Sequence, residues 1–172
     1  MNQVLERTSR PQVIPAVQGE YYAYSAGFTA ERPVYTLMKC KASKSHEIDD
    51  VEVLGSEANL LFEFGDSPQV HGVKAAHLLG LLGSSANMEL FDEAWVARAD
   101  MSAEAFYELR SRKNGPALAD FCRSACSERE ASVSLELGMV VAVVTSGGKY
   151  GLFLVKELTP ASMEVDACHI LL

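Results

Sequence analysis

Apolar and polar positions alternate in the first and last thirds of the chain and recur at helical spacing in the middle. Glu20–Ser25 is rich in tyrosine, stops at Gly27 and predicts a strand. Pro33–Lys41 predicts another, with Val34, Thr36, Met38 and Cys40 on one side and Tyr35, Leu37, Lys39 and Lys41 on the other. Gln12–Val17 reads as a short edge strand, because Pro11 and Pro15 remove ladder donors. Val51–Leu54 alternates over a short span, and Asn59–Phe64 has the apolar run of a buried strand.

Helical spacing begins after Gly65. Ser67-Pro68 has the chemistry of a helix start, and Val70, Val73, His77 and Leu81 then recur on one face up to a stop at Gly83. Leu78, Leu79, Leu81 and Leu82 make this segment apolar all round, which predicts a central place in the core. Met88, Phe91 and Trp95 also share a helical face. Ala103–Arg112 is a helix capped by Ser102, and Asn114-Gly115-Pro116 ends it and starts another that turns Leu118, Phe121, Cys122 and Ala125 inward.

The period then returns to two. Gly138–Val144 is β-branched, Ser146-Gly147-Gly148 is a hairpin turn, Tyr150–Lys156 is the return strand, and Met163–Ala167 follows a turn at Pro160-Ala161. The predicted class is α+β: an antiparallel sheet with a central block of three to four helices and a C-terminal three-strand β-meander. Residues 1–11 are polar and aperiodic and predict a flexible arm, leaving 12–172 as a single domain.

Composition narrows the function classes. A hydrophobic content of 48% argues against a wholly disordered chain. Fifteen Lys+Arg against 23 Asp+Glu give a net charge of −8, which argues against nucleic-acid binding and favours a basic protein partner. No apolar run is long enough to span a bilayer, and Met1–Gly19 lacks the apolar core of a secretory signal, so a cytoplasmic location is expected. Cys40, Cys122, Cys126 and Cys168 match no disulfide framework and are expected reduced.

Candidate chemistry is sparse. His46-Glu47-Ile48-Asp49-Asp50 gathers an imidazole and carboxylates in a polar stretch, so His46, Asp49 and Asp50, with His77, are the candidate catalytic residues; a solvated loop accounts for the same residues. Cys122 and Cys126 lack the second pair a zinc site needs, and Cys168 and His169, adjacent on a strand, point to opposite faces. His71 and His77, six apart on the expected helix, do not converge. Ser146-Gly147-Gly148-Lys149 lacks the phosphate-loop pattern, and the Arg110, Arg112, Lys113, Arg123 and Arg129 cluster fits helix ends. No cofactor motif and no metal-ligand spacing is present. Tyr21, Tyr22 and Tyr24 concentrate amphipathic rings on one strand and are the candidate partner-binding residues.

The expectation is therefore a non-catalytic interaction protein (an adaptor, inhibitor or immunity-type accessory protein) that binds a protein partner. The alternatives are a small enzyme built around the His/Asp loop and a small-ligand module using the Pro68–Leu82 segment against the sheet. The sequence leaves the oligomeric state open.

Overall fold

The computed structural model describes residues 20–38, 42–82 and 87–172. The expected strand at Gln12–Val17, the arm at 1–11, Cys40 and the stop at Gly83 lie outside them. The strands are β1 (Glu20–Thr29), β2 (Val34–Tyr35), β3 (Ser45–His46), β4 (Leu60–Glu63), β5 (Gln69–Gly72), β6 (Ala94–Ala99), β7 (Ser132–Ser134), β8 (Val140–Thr145), β9 (Lys149–Leu158) and β10 (Ser162–Leu171). The helices are α1 (Val51–Leu54), α2 (Val73–Leu78), α3 (Ala103–Arg112) and α4 (Gly115–Ala125).

The strands form two five-stranded antiparallel sheets rather than the single sheet expected, and the helices divide between two outer faces instead of gathering in one central block, because each sheet has an apolar outer face to cover. The strand orders are β1-β10-β9-β8-β6 in the first sheet and β3-β2-β4-β5-β7 in the second. Period-two alternation gives each sheet two apolar faces, and each face is covered. Phe28, Val96, Val141, Phe153, Val155 and Val165 of the first sheet meet Tyr35, Leu60, Phe62 and Val70 of the second in one shared core. On the outer face of the first sheet, Val140, Leu152, Cys168 and Ile170 pack under Phe106 of α3 and Leu118 and Cys122 of α4. On the outer face of the second, Val34 and Leu61 pack under Val51 of α1 and Val73 and Ala76 of α2. The described residues thus stack as helices, sheet, sheet, helices.

The C-terminal meander forms as expected, with β8, β9 and β10 pairing in sequence order. So do α3 and α4. Ser102 Oγ accepts from Ala105 N at 3.1 Å, and Asn114 Oδ1 accepts from Ala117 N at 3.1 Å.

Four local expectations are corrected. Val51–Leu54 is a single helical turn rather than a strand, because Glu47 and Asp50 form a reciprocal capping box just before it. The segment starting at Pro68 is extended through Gly72, where its backbone pairs with β4 and β7, and only Val73–Leu78 is helical. That helix ends at Gly80 (φ +78°) in a Schellman motif, with Leu81 N donating to Ala76 O and Gly80 N to His77 O. Trp95 lies on β6 rather than a helix, because Ala94–Ala99 pairs residue for residue with β8. Of the strand expected over Pro33–Lys41, whose residues 39–41 lie outside the described ones, only Val34–Tyr35 pairs as a strand among the described residues, and these two do face opposite layers as the alternation requires.

Gly72 fixes how closely the sheets approach at this edge. A Cβ there would stand 2.7 Å from the Ala94 carbonyl oxygen. Gly72→Ala is expected to cost about 1–3 kcal/mol through the forced separation of β5 and β6. Urea unfolding measures it, and an unchanged midpoint would contradict the close approach.

Candidate functional site

The most exposed apolar surface lies on the helical layer over the second sheet. In α2, Val73 and Ala76 point down to the sheet, so Leu78 projects outward and is 85% exposed. Leu79 is 59% and Leu90 65% exposed. The sequence expectation placed this leucine-rich segment centrally in the core. Leu78 and Leu79 come to the surface instead, while Leu81 and Leu82 stay partly buried against the core, because a helix of six residues cannot bury an apolar perimeter against one sheet. Large exposed apolar side chains grouped together are the informative departure from ordinary burial.

Of these, Leu78 lines a groove of about 450 Å³, together with Lys74, Ala75, His77, Met88, Glu89, Glu93 and Ala131. Its lining is mostly apolar, with Lys74, Glu89 and Glu93 as the acidic and basic members. Lys74 Nζ pairs with Glu93 Oε1 at 3.4 Å, which leaves Glu89 as uncompensated charge among the lining residues. His77 Nδ1 is buried and has no hydrogen-bond partner among the described residues.

The other candidates are placed differently. His46 is half-buried on β3 with Nε2 at 3.1 Å from Ser43 O. Asp50 accepts from Glu47 N at 3.2 Å, and Asp49 is exposed in the same short turn. These groups serve local structure, whereas His77 lies on α2 in the groove. Among the described residues, no cluster of His, Cys, Asp or Glu is arranged to hold a metal ion.

The three tyrosines sit on β1, the edge strand beside β10. Tyr21 faces the helical side and donates its hydroxyl to Arg110 O at 3.0 Å. Tyr22 lies against the His169 ring, with centroids 5.2 Å apart. Tyr24 faces the core between the sheets. Its hydroxyl stands 2.7 Å from Tyr35 OH and 2.7 Å from His169 Nδ1.

That network has one consistent proton arrangement. His169 Nε2 is 3.0 Å from the Met38 carbonyl, so it carries the proton and donates. Nδ1 then accepts from Tyr24, whose oxygen accepts from Tyr35. Burial, with the charge of Lys44 nearby, pushes the His169 pKa down to about 3, so the imidazole stays neutral. Burial pushes both tyrosines upward.

The opposite face of β1 is held by a carboxylate. Asp166 accepts from Ser25 Oγ and Tyr107 OH, each at 2.5 Å, with Lys156 Nζ at 3.4 Å and Arg110 Nη1 at 3.8 Å. Burial pushes this carboxyl up, but the hydroxyl bonds and the lysine charge outweigh it and hold the group below its ordinary range. Cys168 and His169 do point to opposite faces, the thiol among the helices and the imidazole between the sheets. Cys122, Cys126 and Cys168 are buried free thiols, each raised in pKa by burial.

Family models, curated proteins and solved structures give no match to this chain. Any functional reading therefore comes from the molecule's own geometry. Among the described residues, no helix is long and apolar enough to cross a membrane.

Proposed function

We propose that this protein is a binding module for another protein, and that the groove beside α2 is its docking surface. The observation that carries this is the 85% exposure of Leu78 at an open, largely apolar groove. The β1 tyrosines are less suited to the role, because Tyr21 and Tyr24 already spend their hydroxyls inside the fold.

The partner's chemistry follows from shape and charge. An open apolar groove of this size accepts the apolar face of an amphipathic helix, anchored by side chains one turn apart. Lys74 and Glu93 pair with each other, Glu89 is left as the lining charge, and the whole chain has a net charge of −8, so the complementary helix is basic on its polar face.

The test uses a dye-labelled helical peptide with leucines at i, i+3, i+4 and i+7 and lysines elsewhere. Fluorescence anisotropy should show saturable binding to the wild type. The Leu78→Ser variant should bind at least about fivefold more weakly, since one anchor worth about 1–2 kcal/mol is removed. Its thermal unfolding should be unchanged, because Leu78 is exposed. The same peptide with glutamate for lysine should not bind. Equal affinity for the wild type and Leu78→Ser would sink the proposal.

A further inference from the structure

Three side chains on the outer face of the second sheet form a hydrogen-bonded row. Glu63 on β4, His71 on β5 and Ser132 on β7 occupy neighbouring strands. The register explains why they meet. His71 stands directly opposite Ser132, and both alternate away from the inward-facing Val70 and Val133. Gly72 N donates to Ala131 O, which makes His71 and Ser132 a non-hydrogen-bonded pair, the kind whose side chains approach most closely. His71 Nδ1 is 2.6 Å from Ser132 Oγ, and His71 Nε2 is 2.9 Å from Glu63 Oε1.

We propose that Ser132 is a nucleophilic hydroxyl that accepts small apolar acyl groups from activated esters, with His71 as its general base and Glu63 as a positioning residue. The proposal does not depend on the docking role of the groove. A carboxylate accepts only, so Nε2 carries the His71 proton and Nδ1 is left as the acceptor facing the serine hydroxyl. That is the tautomer a hydroxyl nucleophile requires. The ring nitrogens are used in the reverse sense to the common serine triad, but the roles are the same.

Exposure is arranged to suit the chemistry. His71 is 1% exposed and cannot exchange its partners for water, whereas Ser132 is only partly buried. Ser132 follows Ala131, which lines the groove beside α2. Glu63 is half-exposed at the other end of the row, beside a second cavity of about 280 Å³.

The step balances without any added oxidant or cofactor. Ser132 Oγ forms a bond to the ester carbonyl carbon as its proton passes to His71 Nδ1. The bond to the leaving aryl oxide breaks, and the proton passes from His71 to that oxide. The products are an acyl-serine and a phenol.

The probe is p-nitrophenyl acetate, with intact-mass and peptide-mapping readouts on the full chain. One acetyl group is expected on Ser132, and none at that position in Ser132→Ala. Glu63→Gln should slow acetylation of Ser132 by at least about tenfold, a modest share of what a positioned base supplies. Because Glu63 is half-exposed, that variant should keep its unfolding temperature. Its His71 ¹⁵N shifts should report loss of the Nε2–H tautomer, which a purely structural role for Glu63 would not produce. Acetylation confined to lysines, or an unchanged Ser132 rate in Glu63→Gln, would overturn the proposal.

Discussion

The unfolding free energy is expected to fall by about 1.4 kcal/mol per pH unit through His169 alone as pH drops from 6.5 towards about 3. In that window the unfolded chain binds a proton on this imidazole and the folded chain does not, so protons favour the unfolded state. Above pH 6.5 the group is neutral in both states and contributes no slope. The cause is the sealed proton arrangement around His169. Nε2–H is committed to Met38 O, Nδ1 is occupied by Tyr24, and Lys44 adds a positive charge nearby. Urea titrations at pH 7, 5.5 and 4.5 measure the slope, with His169→Gln as the comparison. Glutamine can still donate to Met38 and accept from Tyr24, but it takes up no proton. Carboxylate effects are common to both proteins and cancel in the difference. Parallel slopes would mean that His169 is protonated freely in the folded state.

Phe62→Ala is expected to cost about 3–5 kcal/mol, a large share of the 5–15 kcal/mol typical of a whole protein. The ring is 2% exposed and stands between the sheets. Its centroid lies 4.6 Å from Phe28 and 5.7 Å from Phe153 in the first sheet, and 6.0 Å from Tyr35 in its own. Removing it leaves those rings without a partner on one side, and close-packed neighbours cannot collapse to fill the space. Guanidinium unfolding measures the loss. A cost below about 1 kcal/mol would show that the sheets are not joined through this cluster.

Much of the architecture is legible where local chemistry is unambiguous. Ser102 and Asn114-Gly115-Pro116 mark helix starts through capping, a contact made within one turn, so sequence suffices. The Ser146-Gly147-Gly148 hairpin is equally local, with Gly148 at φ +87°. The segment from Pro68 to Leu82 is misread because Val70 and Val73 satisfy a helical spacing while β4 and β7 supply ladder partners that no local pattern announces. Trp95 fails for the same reason, through its pairing with Val144.

The candidate sites are less legible. Leu78, Leu79 and Leu90 carry the clue in their excess of apolar character, but burial and exposure are decided by how much sheet lies beneath a short helix. Glu63, His71 and Ser132 are brought together by strand register. A shift of one residue in β7 would turn Ser132 toward the core and Val133 outward, and nothing in the residues themselves states that register.

The pairing of β1 with β10 also sets an order of events in folding. Tyr24 and His169, bonded in this ladder, are 145 residues apart in the chain. During synthesis β1 is made well before β10, so its ladder partner is missing while the segments between them emerge. Closing this ladder is a long-range contact, and loop entropy makes it slow beside local pairings such as β8 with β9.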